Sequence, residues 1–277
     1  MPSMRVIGVD LAWGEGSSER PANQTALVAV EPSGSVVDAG WESGLIATAK
    51  WVDEHATQDT MLMVDAPLVV SNTGQQRLCE KQVGQRYGRW KVSANSTNRS
   101  SPRLAGVALL RLLSQTDWCY HDGCEGAPPT TGQHAAEVYP YTTLVGAWEL
   151  GYDVERPAYK RRPKSVPASD FRILRATTCD DLVRRLLTLR DADPPIDITS
   201  HPVTRTLADE GSPINDREYK HREDLIDALI CAWTGLLWLN RGLDRCQVLG
   251  VGDSETPVAT IIAPARPTQR TAALLHT

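Results

Sequence analysis

The stretch HREDLIDALICAWTGLLWLNRG, residues 221–242, decides the fold that we expect for this chain. It is apolar nearly all round, which is typical of a helix inside the core. Ala228, Cys231 and Gly235 form a stripe of small residues, so the helix can lie close against a sheet. Asp224 and Asp227 are three residues apart and therefore share a face of the helix. Close packing would bury both carboxylates, and buried carboxylates need a partner, a cation or a proton.

Two explanations of this acidic pair remain open from the sequence. Asp224 and Asp227 could lie in the first turn of the helix, where negative charge favours the helix dipole. They could instead belong to a buried charged site. The segment is too short, and too acidic at one end, to be a membrane span.

The composition limits the class of protein. A chain of 277 residues is enough for one large domain or two small ones, and 41% hydrophobic and 23% charged residues are ordinary for a globular protein. The net charge of -5 excludes a global basic field that would attract nucleic acid, so any such surface must be a local patch. The amino terminus opens directly into a strand without a signal-peptide pattern. We therefore expect a cytoplasmic protein with no membrane segment and with free thiols.

The first part of the chain predicts strand, strand, strand, helix and strand, over residues 4–12, 25–31, 36–41, 45–55 and 60–65. Gly8 leaves room for a close approach on one face of the first strand. Asp10 and Asp65 each end an apolar strand. Because sites in open α/β sheets form at the carboxyl ends of strands, these two side chains are candidates for a common site.

The remainder predicts an insertion and a return to the sheet. Residues 71–133 contain two amphipathic helices joined by a polar loop, and residues 135–141 resume strand character with Glu137 near the start. A helix at 170–190 and a hairpin at 247–262 at the sheet edge follow. We expect a single domain over residues 1–264 with an insertion at about 71–133, and a flexible tail at 265–277.

Five acidic side chains stand out as candidate ligands: Asp10, Asp65, Glu137, Asp224 and Asp227. Hard oxygen ligands without a histidine cluster suit Mg²⁺ or Mn²⁺ rather than zinc. Two such ions held between carboxylates can activate a water and stabilise the leaving oxygen in phosphodiester hydrolysis.

Two local segments concentrate positive charge in this acidic chain and could guide a phosphate-bearing substrate towards the carboxylates. The alternative is a solvated surface. The residues are Arg86, Arg89, Lys91, Arg99 and Arg103 in the first segment and Lys160, Arg161, Arg162 and Lys164 in the second.

Cys119, His121 and Cys124 lie close together, with His134 following. The spacing CYHDGC matches no regular zinc knuckle and lacks a second tight pair. We expect a loop here, although the sequence leaves metal binding by these residues open.

The order of these motifs resembles the ribonuclease H-like superfamily, and the helix with Asp224 and Asp227 resembles its Holliday-junction resolvase branch. More narrowly, GVDLAW, VDAPL, EVYPY, the Tyr159–Lys160 pair and HREDLIDAL resemble the domain-of-unknown-function 429 family, described as predicted nucleases. The resemblance covers roughly residues 4–262. It implies a mixed five-stranded sheet, with three antiparallel strands followed by parallel strands, flanked by helices.

The resemblance also implies roles for particular residues. Asp10 would be the central ligand bridging two metal ions, Asp65 would take the place of the acid that ends the fourth strand, and Asp227 with Asp224 would complete the site. Glu137 matches the family's EVYP motif and would be a fourth ligand or a group next to the ligands.

Two further side chains are carried over with auxiliary roles. His221 could position water or the scissile phosphate, and Lys160 is a candidate phosphate contact or transition-state cation. Asp65 departs from the glutamate usual in resolvases, so the metals could be spaced differently or only one could bind. The insertion could cover the cleft and admit only a small substrate. A resolvase-like protein would also be expected to form a homodimer.

Three functions remain in competition. The first is a metal-dependent nuclease acting on nucleic acid or another phosphate-bearing substrate. The second is a small-molecule phosphotransferase or phosphohydrolase of actin-like type, with GVDLAWGEGSS as its phosphate hairpin, although no second hairpin of this kind follows. The third is a non-catalytic binding or scaffold protein that retains the fold.

Overall fold

The protein is described here by a computed structural model covering residues 4–13 and 23–270. Its centre is a six-stranded mixed sheet with strand order β3-β2-β1-β4-β6-β5. β1 pairs antiparallel with β2 and parallel with β4, and the other pairs are antiparallel for β2–β3 and parallel for β4–β6 and β5–β6. The strands are β1 (Arg5–Asp10), β2 (Gln24–Val30), β3 (Val36–Ser43), β4 (Thr60–Val64), β5 (Trp118–Tyr120) and β6 (Gln133–Glu137).

Helices cover both faces of this sheet and build two cores. Alternate side chains of β1 point to opposite faces, so Val6 joins the core under the longest helix while Ile7 and Val9 join the core on the other face. The helices are α1 (Leu45–His55), α2 (Leu78–Tyr87), α3 (Ala105–Leu113), α4 (Pro140–Gly146), α5 (Ala168–Thr188), α6 (Pro202–Asp209), α7 (Asp216–Arg241) and α8 (Pro267–Arg270).

The mixed α/β class and the antiparallel-then-parallel strand order are confirmed, and they are consistent with a ribonuclease H-like fold. The expected number of strands was one too low. Trp118–Tyr120 adds a sixth strand at the edge, and three residues are too few to show a strand period in the sequence. The expected edge hairpin forms a separate two-stranded sheet of β7 (Cys246–Leu249) and β8 (Ile261–Pro264). An isolated β-bridge links Ile262 of β8 to Val138, the residue that follows β6.

Other element boundaries also differ from the expectation. The strand predicted over 135–141 ends at Glu137, because Pro140 opens α4 as an N-terminal helix proline. Helix α6 falls in a stretch that the sequence predicted to be a long connection. Of the expected flexible tail, Pro267–Arg270 forms a helical turn, and residues 271–277 lie outside the described residues. Within the described ranges, none of the helices has the length and apolar character that crossing a bilayer requires.

The close approach predicted between helix and sheet is present. A β-carbon placed on Gly8 would lie 2.1 Å from the carbonyl oxygen of Ala228 and 2.4 Å from the nitrogen of Ala232. At the far end of the contact, a β-carbon on Gly235 would lie 2.6 Å from a methyl of Val6. The missing side chains on both elements therefore allow α7 to rest directly on β1.

Replacing Gly8 with alanine should lower the free energy of unfolding by about 1–3 kcal/mol, because overpacking forces α7 and β1 apart. The matched control is Gly40→Ala, since Gly40 also lies in a strand but has nothing within 4 Å of its would-be β-carbon. Urea unfolding followed by circular dichroism measures both. Equal stability losses in the two variants would contradict the close contact.

Helix α7 begins at Asp216, five residues before the predicted start at His221. Its N-cap is Asn215, whose side chain accepts hydrogen bonds from the backbone N–H groups of Arg217 at 2.9 Å and Glu218 at 3.4 Å. Asp224 and Asp227 therefore lie beyond the second turn. The explanation that they serve the helix dipole is wrong, because that effect is confined to the first turn.

Candidate metal centre

Three aspartates from three elements converge at one edge of the sheet. Asp10 is the last residue of β1, Asp65 follows β4, and Asp227 projects from α7. One carboxylate oxygen of each lies within 4.8 Å of those of the other two. In the described part of the chain, this is the one group of three or more histidine, cysteine or acidic side chains with such a spacing.

The strands explain why Asp10 and Asp65 meet. β1 and β4 are parallel neighbours, so their carboxyl ends lie side by side, and the N–H of Asp65 donates to the carbonyl of Val9 at 2.9 Å. Asp227 is brought to the same edge because α7 rests on Gly8. Its side chain is fully buried.

Asp227 is held by the Tyr159–Lys160 pair. The Tyr159 hydroxyl donates to Asp227 Oδ1 at 2.6 Å, and Lys160 Nζ forms an ion pair with Asp227 Oδ2. Lys160 Nζ also lies 4.0 Å from Glu223 Oε1. Lys160 therefore lies beside the acidic cluster, where a contact with a substrate phosphate was expected.

Asp224 lies one turn earlier on α7 and is 6% exposed. It forms an ion pair with Lys220, four residues before it on the same helix. Lys220 was missed from the sequence, although its spacing to Asp224 is a readable signal for a helical ion pair. Four aspartates, at positions 10, 65, 224 and 227, therefore share two lysines.

The excess of carboxylates changes their protonation. Burial raises the pKa of Asp65 to about 7; Lys160 opposes this rise, whereas Asp10 adds to it. Burial, followed by repulsion from Asp10, raises the pKa of Asp224 to about 8. Carboxyls with pKa values this high hold protons near neutrality unless a cation replaces them.

These pKa values predict that the metal-free protein loses stability as the pH rises. In the unfolded chain both carboxyls return to about 3.8, so between about pH 4 and 8 the native state binds more protons. The free energy of unfolding therefore falls with rising pH over this interval. Urea unfolding at pH 5 and pH 8 in the presence of a chelator measures the difference, which should be smaller in Asp224→Asn. A pH difference unchanged by that substitution would contradict the assignment.

One further observation indicates that the site fits a hard divalent cation. Asp10 Oδ2 is buried and has no hydrogen-bond partner among the described residues. A buried carboxylate oxygen without a partner is costly, and oxygen ligands of this kind are those that Mg²⁺ and Mn²⁺ prefer. Asp10, Asp65 and Asp227 are the residues that would hold the ion.

Glu137 is not one of the three converging carboxylates, which corrects its expected role as a ligand. It lines the same narrow cavity as Asp65, which is the position of the alternative expectation, a group next to the ligands. Its two oxygens accept from Arg77 Nη2 and Nη1, both at 2.7 Å, and Oε2 also accepts from the backbone N–H of Leu68 at 3.1 Å. Burial raises the pKa of Glu137 and the Arg77 guanidinium opposes that rise. The carboxylate is therefore used in holding the chain that follows Asp65.

No local pattern in the sequence indicated the partners of Glu137. Arg77 also donates to Glu80 Oε1 through Nε at 2.9 Å and Nη2 at 2.7 Å, and all three side chains are buried. Glu80 Oε2 accepts from the backbone N–H of Thr97 at 3.0 Å. This buried ion triad thus ties the inserted segment to the sheet beside the site.

His221 points away from the carboxylates, which corrects its expected role in positioning water or phosphate. Its ring lies against Trp41 of β3, with centroids 5.3 Å apart. Asp224, three residues further along α7, is the side chain that interacts with Asp10.

The predicted basic residues do not form one surface. Arg161 Nη2 lies 3.3 Å from Asn95 Oδ1, and Asn95 lines a narrow cavity shared with Asp65, so Arg161 is near the site. The others make local contacts or are exposed: Arg86 with Gln247, Arg89 on Trp90, Lys91 with Glu155, Arg162 with the carbonyl of Val166, and Arg99, Arg103 and Lys164 on the surface.

The cysteine–histidine segment does not assemble a metal site within the described ranges. Cys119 and Cys124 are exposed, Trp238 Nε1 donates to His121 Nε2 at 3.3 Å, and His134 Nε2 contacts the carbonyl of Thr131 at 2.9 Å. Cys119 lies in the edge strand β5, so the expected loop begins only after it.

Fold and site together define a mixed α/β protein with a buried acidic cluster at the carboxyl edge of its sheet. The chain belongs to the family described as "Protein of unknown function (DUF429)", whose sequence profile matches residues 8–251. The family resemblance drawn from the sequence motifs is thereby confirmed.

Comparison with curated proteins returns no match. Among solved structures, the chain is similar to "Lmo2764 protein, a putative N-acetylmannosamine kinase, from Listeria monocytogenes" at 13% identity, over 87% of this chain and 81% of that chain, with a TM-score of 0.27. A similarity this weak carries no argument about fold or function.

Proposed function

We propose that this protein is a metal-dependent nuclease that hydrolyses phosphodiester bonds. The observation that carries the proposal is the convergence of Asp10, Asp65 and Asp227 on one point, with the buried Asp10 Oδ2 left without a partner among the described residues. A divalent cation bound there would polarise a phosphoryl oxygen and lower the pKa of a bound water.

The contacts of Lys160 support one ion rather than two. Its ammonium group already neutralises Asp227 Oδ2, so less negative charge remains in the cluster to bind a second ion. We therefore assign Asp10, Asp65 and Asp227 to the ion and Lys160 to the substrate phosphate. A preorganised positive charge in a water-poor site stabilises the charge that develops in the transition state.

Hydrolysis of a free nucleotide is a second candidate. It is favoured by the inserted segment beside Asp65, which leaves only a narrow cavity of about 40 Å³ between Trp13, Asn95 and Tyr139 and so little room for a polymer on this side. The Tyr139 hydroxyl donates to the carbonyl of Ser93 at 3.1 Å and so fastens the inserted segment over this side. The actin-like alternative rests on the loop after Asp10, of which residues 14–22 lie outside the described residues.

Cleavage of labelled single-stranded, duplex and branched DNA and RNA in manganese tests the proposal, with free nucleotides as additional substrates. Lys160→Met should lower the rate about 100-fold or more while the protein still responds to manganese in thermal unfolding, because Asp10, Asp65 and Asp227 all remain to hold the ion. Asp227→Asn should lose both cleavage and the manganese response.

The control for these variants is Asp117→Asn, which changes an exposed aspartate in the turn before β5. It should cleave as the wild type does. Cleavage that persists in chelator, or that survives in Asp227→Asn, would overturn the metal-dependent mechanism.

A further inference from the structure

A second concave site lies on the other flank of α7. It is a cavity of about 250 Å³ between the end of β3, the start of α7 and the chain that follows α6. Its walls include Trp41, Leu207, Glu210, Glu218, His221 and Leu225. None of these residues takes part in the acidic cluster.

The sheet register fixes the position of this cavity relative to the cluster. Asp10 pairs with Ala26 of β2, and Ala26 pairs with Trp41 of β3. Residues directly opposite one another project from the same face, so Asp10 and Trp41 lie on the face that α7 covers. Two strand spacings separate them, which is roughly 10 Å.

The cavity contains polar groups without partners in the described chain. Trp41 Nε1 is buried and donates to no acceptor there. Glu210 and Glu218 are exposed at the rim and form no ion pair with a described residue. Arg222, by contrast, already donates hydrogen bonds to Ser212 Oγ and to the carbonyl oxygens of Leu207 and Glu210. The cavity therefore offers two carboxylates at its rim and an aromatic surface formed by Trp41 and His221.

We propose that the Trp41–His221 cavity binds an unpaired nucleobase of the substrate whose phosphate lies at the acidic cluster. The tilted rings of Trp41 and His221 provide a surface for a planar ring, and stacking of this kind accepts any base. The two rim carboxylates accept from exocyclic amino groups and disfavour phosphate, so the base and the phosphate are directed to different places. This inference rests on the proposed function for the position of the phosphate.

The rings of Trp41 and His221 contact each other, with centroids 5.3 Å apart, so a base stacks on the aromatic surface that they form together and not between them. A base inside a duplex has both faces covered by its neighbours, so it has to leave its stack to make this contact. The substrate is accordingly a single strand, an unpaired position in a larger nucleic acid, or a free nucleotide. All three present the same chemistry to the cavity.

Equilibrium binding separates these sources. We would titrate the protein, in calcium, into a fluorescein-labelled single-stranded DNA, the RNA of the same sequence and the matching duplex, and measure adenosine binding separately by calorimetry. Trp41→Leu should weaken binding of the single strands about tenfold and leave the weak duplex binding unchanged. Trp41→Phe, which retains an aromatic ring, should lose less. If only adenosine binding depends on Trp41, the base belongs to a free nucleotide and the cavity assignment still stands.

Trp148→Leu is the matched control, since Trp148 is 42% exposed and lies under Arg245 away from the cavity. Thermal midpoints of all variants establish that they are folded, and His221→Ala provides a second probe of the same wall. Single-strand and adenosine affinities that are unchanged in both Trp41→Leu and His221→Ala would overturn the inference. If those variants still respond to manganese, the proposed metal site remains supported even though the base-binding inference has failed. Loss of the base dependence and loss of the manganese response are therefore separate results.

Discussion

Replacing Asp10 with asparagine should abolish the stabilisation of this protein by manganese. At a metal concentration one hundred times the dissociation constant, the wild type should gain about 2.7 kcal/mol in the free energy of unfolding. Without metal, Asp10→Asn should be at least as stable as the wild type. The reason is that Asp10 repels Asp65 and Asp224, and the substitution removes one negative charge from a cluster in which carboxylates outnumber lysines.

Differential scanning calorimetry of both proteins, with and without millimolar manganese at pH 8, measures these effects. Asp117→Asn again serves as the control and should respond to manganese as the wild type does. If Asp10→Asn gains the same stabilisation as the wild type, the ion binds elsewhere on the chain.

Replacing Arg77 with alanine should cause one of the largest losses of stability in this protein, about 3–5 kcal/mol in the free energy of unfolding. Arg77 is 3% exposed and is the shared partner of Glu80 and Glu137, which are 2% and 3% exposed. Its removal leaves two carboxylates buried without a counter-charge. Urea unfolding is the measurement, with exposed Arg99→Ala as the control.

A charge-neutral version of the triad provides the complementary result. Arg77→Met combined with Glu80→Gln and Glu137→Gln removes all three charges, so it should recover part of the stability lost in Arg77→Ala. A loss below about 1 kcal/mol in Arg77→Ala would mean that the triad is not buried as described.

The core of the site follows from local patterns in the sequence. Gly8 and the small residues Ala228 and Gly235 indicated a helix resting on the first strand, and the structure has that contact. Asp10 and Asp65 end apolar strands, and parallel strands bring their carboxyl ends together. These inferences succeed because each depends on the period of one helix or one strand.

The remaining parts of the site depend on contacts between distant segments. Glu137 and Arg77 are sixty residues apart, and no local pattern indicates that this glutamate pairs with an arginine of the insertion. His221 was assigned to the site by the family resemblance, whereas its ring packs against Trp41 in the structure. The N-cap at Asn215 sets the true start of α7, and the cavity with Trp41 emerges only from the register of three strands.

Direct titration of the protein with manganese tests the central claim that Asp10, Asp65 and Asp227 form a cation site. The electron paramagnetic resonance signal of free Mn²⁺, measured at pH 8, reports how much ion the protein removes. We predict saturable binding of one ion by the wild type and by the exposed control Asp117→Asn, and loss of binding in Asp10→Asn, Asp65→Asn and Asp227→Asn. Binding that survives in the three aspartate variants, or no binding by the wild type, would contradict the account.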